Sequence, residues 1–161
     1  MNESFQCTLG IDNAVKVAYR QTSRTEQEPP RSYAEPLRTT TRTVTTTVSN
    51  NHQFDISPLI VRDALPLQDD RGTVQIMLRK PGGLAQAKDG EEILVDAGGG
   101  ASDVKVRWVK IVDVTGGEND GTYEWVCSVS AGQKVELGTE WDVKAPASVE
   151  WQEKTNSMLK K

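Results

Sequence analysis

Residues 37–51 read LRTTTRTVTTTVSNN, and this stretch decides the fold. Seven of the nine residues from Thr39 to Thr47 are threonine. Threonine is β-branched, stiff about χ1 and suited to a pleated surface. Alternation puts Thr40, Arg42, Val44, Thr46 and Val48 on one face of a strand, and Thr39, Thr41, Thr43, Thr45 and Thr47 on the other. The valines assign the first face to the core, at least in its second half. The all-threonine face is expected in solvent. Asn50-Asn51-His52-Gln53 comes next as a turn.

The same period of two continues in both directions. Phe5, Cys7 and Leu9 predict a first strand that stops at Gly10. Val15, Val17 and Tyr19 predict a second, after an Asp12-Asn13 turn. Residues 21–36 hold Pro29, Pro30 and Pro36 without periodicity, and predict a polar, mobile loop. Ile56 to Leu65 predicts a strand that Pro58 makes an edge or a bulged one. Val74, Ile76 and Leu78 alternate until Pro81, and Ile93-Leu94-Val95 is a very short strand. A glycine-rich loop spans about 96–102. Val104, Val106 and Trp108 alternate, and a slip of phase before Ile111 predicts a bulge. Gly116 to Gly121 is a turn. Tyr123, Trp125, Cys127 and Val129 share a face of the next strand, and Ala131-Gly132 is a tight turn. Val135, Leu137, Thr139, Trp141 and Val143 share a face of the last, which ends at Pro146, so Trp125 and Trp141 are expected in the core on adjacent strands.

Seven to nine strands with no helical period predict an all-β fold, an antiparallel immunoglobulin-like β-sandwich. A closed barrel is the alternative. Faces that are apolar on one side only favour two packed sheets. The expected organisation is one domain over residues 1–150 and a polar tail over 151–161. Trp151, at the start of that tail, is expected to be partly exposed.

Composition narrows the function. With 161 residues and a net charge of −4, the chain lacks the basic balance of a nucleic-acid module. No stretch approaches a membrane span. One histidine and two cysteines leave no room for the usual structural zinc sets. The N-terminal MNESFQCTLGIDNAVKV has no apolar core of a signal peptide, which predicts a cytoplasmic location.

Individual residues offer little chemistry. His52 sits in a turn signature and is expected in solvent. Asp63, Asp69 and Asp70 lie close enough to suggest acid–base work or a cation, but Asp-Asp-Arg-Gly is an ordinary turn and Arg71 offsets the charge. Glu118, Asn119 and Asp120 lack the spacing of a calcium loop. Gly98-Gly99-Gly100 has neither the Lys-Ser/Thr pair nor the helix of a phosphate loop. Cys7 and Cys127 fall on inward faces, as free thiols or as a cross-sheet disulfide. Trp108, Trp125 and Trp141 fit a core better than an exposed stacking platform. No catalytic residue, metal ligand or cofactor is assigned. Strand addition is the remaining use of the threonine-rich strand, if it lies at a sheet edge. Its interaction residues are then Thr39, Thr41, Arg42, Thr43, Thr45 and Thr47.

Four pieces in order carry a family resemblance. They are CTLGIDNAVKVAYR, TRTVTTTVSNNHQFDISPLIVRDALPLQDD, VQIMLRKPGGL and GTYEWVCSVSAGQKVELGTEWDVKAP. The matching positions are Leu9, Gly10, Asp12, Lys16, Val17, Asn50, Asp63, Pro66, Asp70, Pro81, Trp125, Gly132, Trp141 and Pro146. The chain resembles the C-terminal domain of mucoidy inhibitor A-like proteins, a domain of unknown function. The resemblance implies a β-sandwich with no established catalysis. The expected function is a non-enzymatic module for protein interaction or assembly, self-association included. The alternatives are a metal-dependent hydrolase using the acidic turn and a carbohydrate-binding module using tryptophans.

Overall fold

The computed structural model describes residues 10–30, 32–68, 71–97, 101–110 and 120–152. Its strands are β1 (Val15–Gln27), β2 (Leu37–Asn50), β3 (Ile56–Ala64), β4 (Gln75–Lys80), β5 (Ile93–Leu94), β6 (Ala101–Trp108), β7 (Thr122–Val129) and β8 (Lys134–Pro146). One sheet has the order β1-β2-β8-β4 and the other β3-β7-β6-β5. Every neighbouring pair is antiparallel. The fold is an all-β sandwich of two four-stranded sheets, as the alternation predicts.

The core lies where the apolar faces meet. Val44, Val48, Val135, Leu137, Trp141 and Val143 come from the first sheet, and Val104, Val106, Tyr123, Trp125, Cys127 and Val129 from the second. Tyr123 packs edge-on against both Trp108 and Trp125, with ring centroids 6.4 Å apart in each pair. Its hydroxyl lies 2.8 Å from Thr139 Oγ1, which ties the two sheets together through a buried polar contact. Trp108 Nε1–H donates to the Leu84 carbonyl at 2.7 Å.

Asn50 ends β2 fully buried. Its Nδ2 donates to the carbonyls of Phe54 (2.9 Å) and Val129 (3.0 Å), and its Oδ1 accepts from the His52 amide at 3.0 Å. One side chain thus organises the turn after β2 and fastens it to the end of β7.

Four expectations change. Residues 21–27 are not loop: β1 continues to Gln27, and each of its residues pairs with β2 without a shift, from Val15 opposite Asn50 to Gln27 opposite Arg38. A strand as β-prone as β2 holds a polar partner mainly through main-chain bonds, to which the Thr25 and Thr40 hydroxyls, 3.0 Å apart, add a side-chain contact. Second, β2 is not at an edge, because β1 and β8 flank it. Third, its outer threonines are half-buried rather than exposed, since both neighbours crowd them. Fourth, Ala131-Gly132 does not close a hairpin. It carries the chain from β7 in one sheet to β8 in the other, so Trp125 and Trp141 face each other's sheet and are not on paired strands.

Other expectations hold. β3 is an edge strand with a register shift between Ile56 and Leu59, around Pro58. β6 has a register shift between Ser102 and Lys105, a different place from the bulge that the alternation predicts. The slip expected near Ile111, the strand from Phe5 to Leu9, Gly98–Gly100 and most of the Gly116–Gly121 turn lie outside the described residues, and the loop expected to run to about 102 has given way to β6 by Ala101. Gly121 itself has φ +67°, and a Cβ there would sit 2.5 Å from the Leu65 carbonyl oxygen, so only glycine fits.

Candidate functional site

The threonine-rich strand uses its polar groups internally. Thr41 Oγ1 donates to Asp142 Oδ1 at 2.7 Å, and Thr43 Oγ1 to Glu140 Oε2 at 3.3 Å. Asp142 is buried and also accepts from Arg79 Nε at 2.6 Å. Thr39, Thr45 and Thr47 share that outer face, opposite Lys144, Gly138 and Glu136 of β8. Arg42 is on the inner face, its guanidinium 5.7 Å above the Trp151 ring. The six residues therefore lie together on one strand, but both hydrogen-bonding sides of that strand are taken.

The open main-chain edge belongs to β1, one strand further out. Two hydrogen bonds fix which of its groups point where. The Asn51 amide donates to the Ala14 carbonyl at 2.8 Å, and the Glu28 amide to the Leu37 carbonyl at 2.9 Å. Residues that exchange bonds with a neighbour alternate along an antiparallel ladder. The register has no shift, so the even-numbered residues of β1 bond to β2. Val17, Gln21, Ser23 and Thr25 then aim their N–H and C=O groups away from the sheet. Among the described residues no strand lies on that side.

β1 also projects beyond the second sheet. Its residues from Lys16 to Gln27 are all exposed. Val17 and Tyr19 share a side with the buried Val48 and Thr46 opposite them, yet remain 65% and 58% exposed. The ribbon is braced at both ends. At its start, His52 Nε2 lies 2.8 Å from Asp12 Oδ2, and the His52 ring stacks on Phe54 at 4.4 Å. The hydrogen bond to His52 holds the Asp12 carboxyl below its ordinary range. His52 is thus a half-buried tether, not the solvent residue its turn signature suggests. At the far end, Arg38 Nη2 donates to the Val149 carbonyl at 2.8 Å, which lays the segment after β8 across the ribbon. A polar groove of about 670 Å³ lies there, lined by Ser23, Thr25, Arg38, Thr40, Arg42 and Trp151 among others. Trp151 is half-buried.

The remaining candidates are scattered. Asp63 accepts from the Ala64 amide at 2.8 Å, and burial raises its pKa. Asp69 and Asp70 are outside the described residues, as is Cys7. Among the described residues no three His, Cys, Asp or Glu side chains gather as a metal set. Cys127 is a free, buried thiol whose pKa burial raises. Trp108, Trp125 and Trp141 are all in the core. Sequence patterning missed the β1 edge because residues 21–27 are polar on both sides. The signal present was the absence of proline before Pro29.

A family model described as a domain of unknown function (DUF4139) matches residues 2–147. No curated protein and no solved structure matches the chain.

Proposed function

The chain belongs to the DUF4139 family, domains of unknown function, and from that premise we propose a non-enzymatic module that works by protein interaction or assembly. Within the family we assign it to the C-terminal domain of mucoidy inhibitor A-like proteins, on the four sequence pieces that carry that resemblance. The observation that supports an interaction role is the outer edge of β1. It is a thirteen-residue strand in which Val17, Gln21, Ser23 and Thr25 turn main-chain groups towards a partner. An added strand takes its affinity from such groups and its specificity from alternate side chains.

The test is capture from the native cell extract by the full chain and by Gln21→Pro. Gln21 N–H points away from β2, so proline there removes a docking group without breaking the sheet. Proteins retained by the unaltered chain are expected to be lost with the variant. Equal capture by both, with both folded, removes the edge from the account.

A further inference from the structure

We infer that the partner of the β1 edge is a second copy of this chain, paired antiparallel about a two-fold axis through Gln21. This rests on the interaction role proposed above and names its partner. The result joins two four-stranded sheets into one continuous sheet of eight.

The first support is that, among the described strands, β1 is the one long edge broken by neither proline nor bulge. The edge strands of the two sheets are β1, β4, β3 and β5. Natural proteins blunt such edges with short length, proline, bulges or charge, and of these β1 carries only charge, of both signs. β3 carries Pro58 and a shifted register. β4 has six residues and a shift between Leu78 and Lys80. β5 has two residues. β1 has thirteen residues, no proline and an unbroken register. An edge of that kind invites pairing.

The second support is the register. Outward groups belong to the odd-numbered residues, so only pairings of odd with odd let both copies bond. An axis through Gln21 satisfies this and overlaps the whole strand, with Val17 bonding Thr25 of the other copy; at the ends Val15 faces Gln27, but the Val15 amide already donates to the Asp12 carbonyl at 3.3 Å. It sets Lys16 opposite Glu26 twice, once at each end. Ala18 faces Arg24, Arg20 faces Thr22 and Val17 faces Thr25, so no like charges meet. Moving the axis by one residue spoils this. An axis through Arg20 puts Arg20 against itself and Lys16 against Arg24. An axis through Thr22 puts Arg20 against Arg24. Like charges directly opposite are destabilising in a sheet. The sequence of β1 thus matches its own reverse in one full-length register. The pairing is isologous and consumes both edges, so it closes at two copies.

Main-chain pairing must offset the entropy of association, so the dimer is expected to be weak and concentration-dependent. Sedimentation velocity of the full chain over a wide concentration range is the measurement. Gln21→Pro should abolish the dimer while keeping the melting temperature. Lys16→Glu and Glu26→Lys should each raise the dimer dissociation constant about tenfold, because each strikes both ends of the interface. The double variant should return it to within about threefold of the unaltered chain. Three results overturn the inference: a monomer at every concentration, a dimer indifferent to Gln21→Pro, or a double variant no tighter than the singles. A monomeric chain whose captured proteins are still lost with Gln21→Pro removes self-pairing and leaves the interaction role standing. Capture indifferent to Gln21→Pro removes the role itself.

Discussion

Asn50 shows how one side chain can hold two distant parts of a sandwich. Its amide nitrogen serves the Phe54 and Val129 carbonyls, and its oxygen serves the His52 amide. Asn50→Ala strips these buried groups of partners and should cost about 2–4 kcal/mol in urea unfolding. Asn50→Asp should cost more, since it sets a carboxylate oxygen against two carbonyls. A loss below that of Ala would show the amide is not the organiser. The tryptophans differ in a similar way. Trp141→Ala should cost about 3–5 kcal/mol through the cavity it leaves. Trp141 Nε1–H has no partner among the described residues, so Trp141→Phe should cost only about 1 kcal/mol. Trp108→Phe should cost more than Trp141→Phe, because it removes a buried hydrogen bond and leaves the Leu84 carbonyl only the Ala87 amide of its two donors. Thermal melts of the two variants side by side rank them.

At the scale of the strand, position in the sheet decides what proline does. The odd-numbered residues of β2 bond to β1, so Thr43→Pro removes a ladder bond inside a sheet flanked on both sides. It should unfold the domain or lower its melting temperature sharply. Gln21→Pro on β1 should leave melting within a few degrees. If both variants melt alike, the strand order is wrong. Most strands were legible because one face met the core: Val135, Leu137, Trp141 and Val143 announce β8 by alternation alone. The second half of β1 was not legible, because neither face is apolar and the information lies in its partner β2. The sheet order was not legible either. Ala131-Gly132 signals a reversal of the chain, and a reversal looks the same whether the next strand pairs or crosses to the other sheet. The edge position on which the threonine candidates were conditional is held by β1 rather than by β2.

Across the whole molecule, several carboxylates are ionised more readily in the folded state than in the open chain. Lys105 lowers the pKa of Glu92 through its hydrogen bond, and the His52 contact lowers that of Asp12. Burial works to raise that of Glu124, but hydrogen bonds from Arg107 and Arg62 outweigh it. A depressed folded pKa gives stability that is present above the unfolded value and lost as pH falls through the folded one. Melting temperature should therefore hold from pH 7 to about 5 and drop below about 4. Asp63 runs the other way, because burial raises its pKa. Asp63→Asn should raise the melting temperature modestly at pH 7, where the native carboxylate is charged at a cost. A fall instead would show that its ionised form is needed. The placement of β2 between β1 and β8 also shapes how the chain reaches this state. Thr25 and Thr40, bonded across β1 and β2, are 15 residues apart, whereas Thr41 and Asp142, bonded across β2 and β8, are 101 apart. The β1–β2 ribbon can form while the chain is still emerging, but β8 arrives last, and contacts so distant in sequence make folding slow. Until then β2 carries a long open side, the kind of surface on which nascent chains aggregate. Threonine supplies β-propensity with little stickiness, which suits a strand that must wait. Replacing Thr39, Thr45 and Thr47 together by valine should change equilibrium stability little and reduce the yield of soluble protein on refolding, more so at higher concentration.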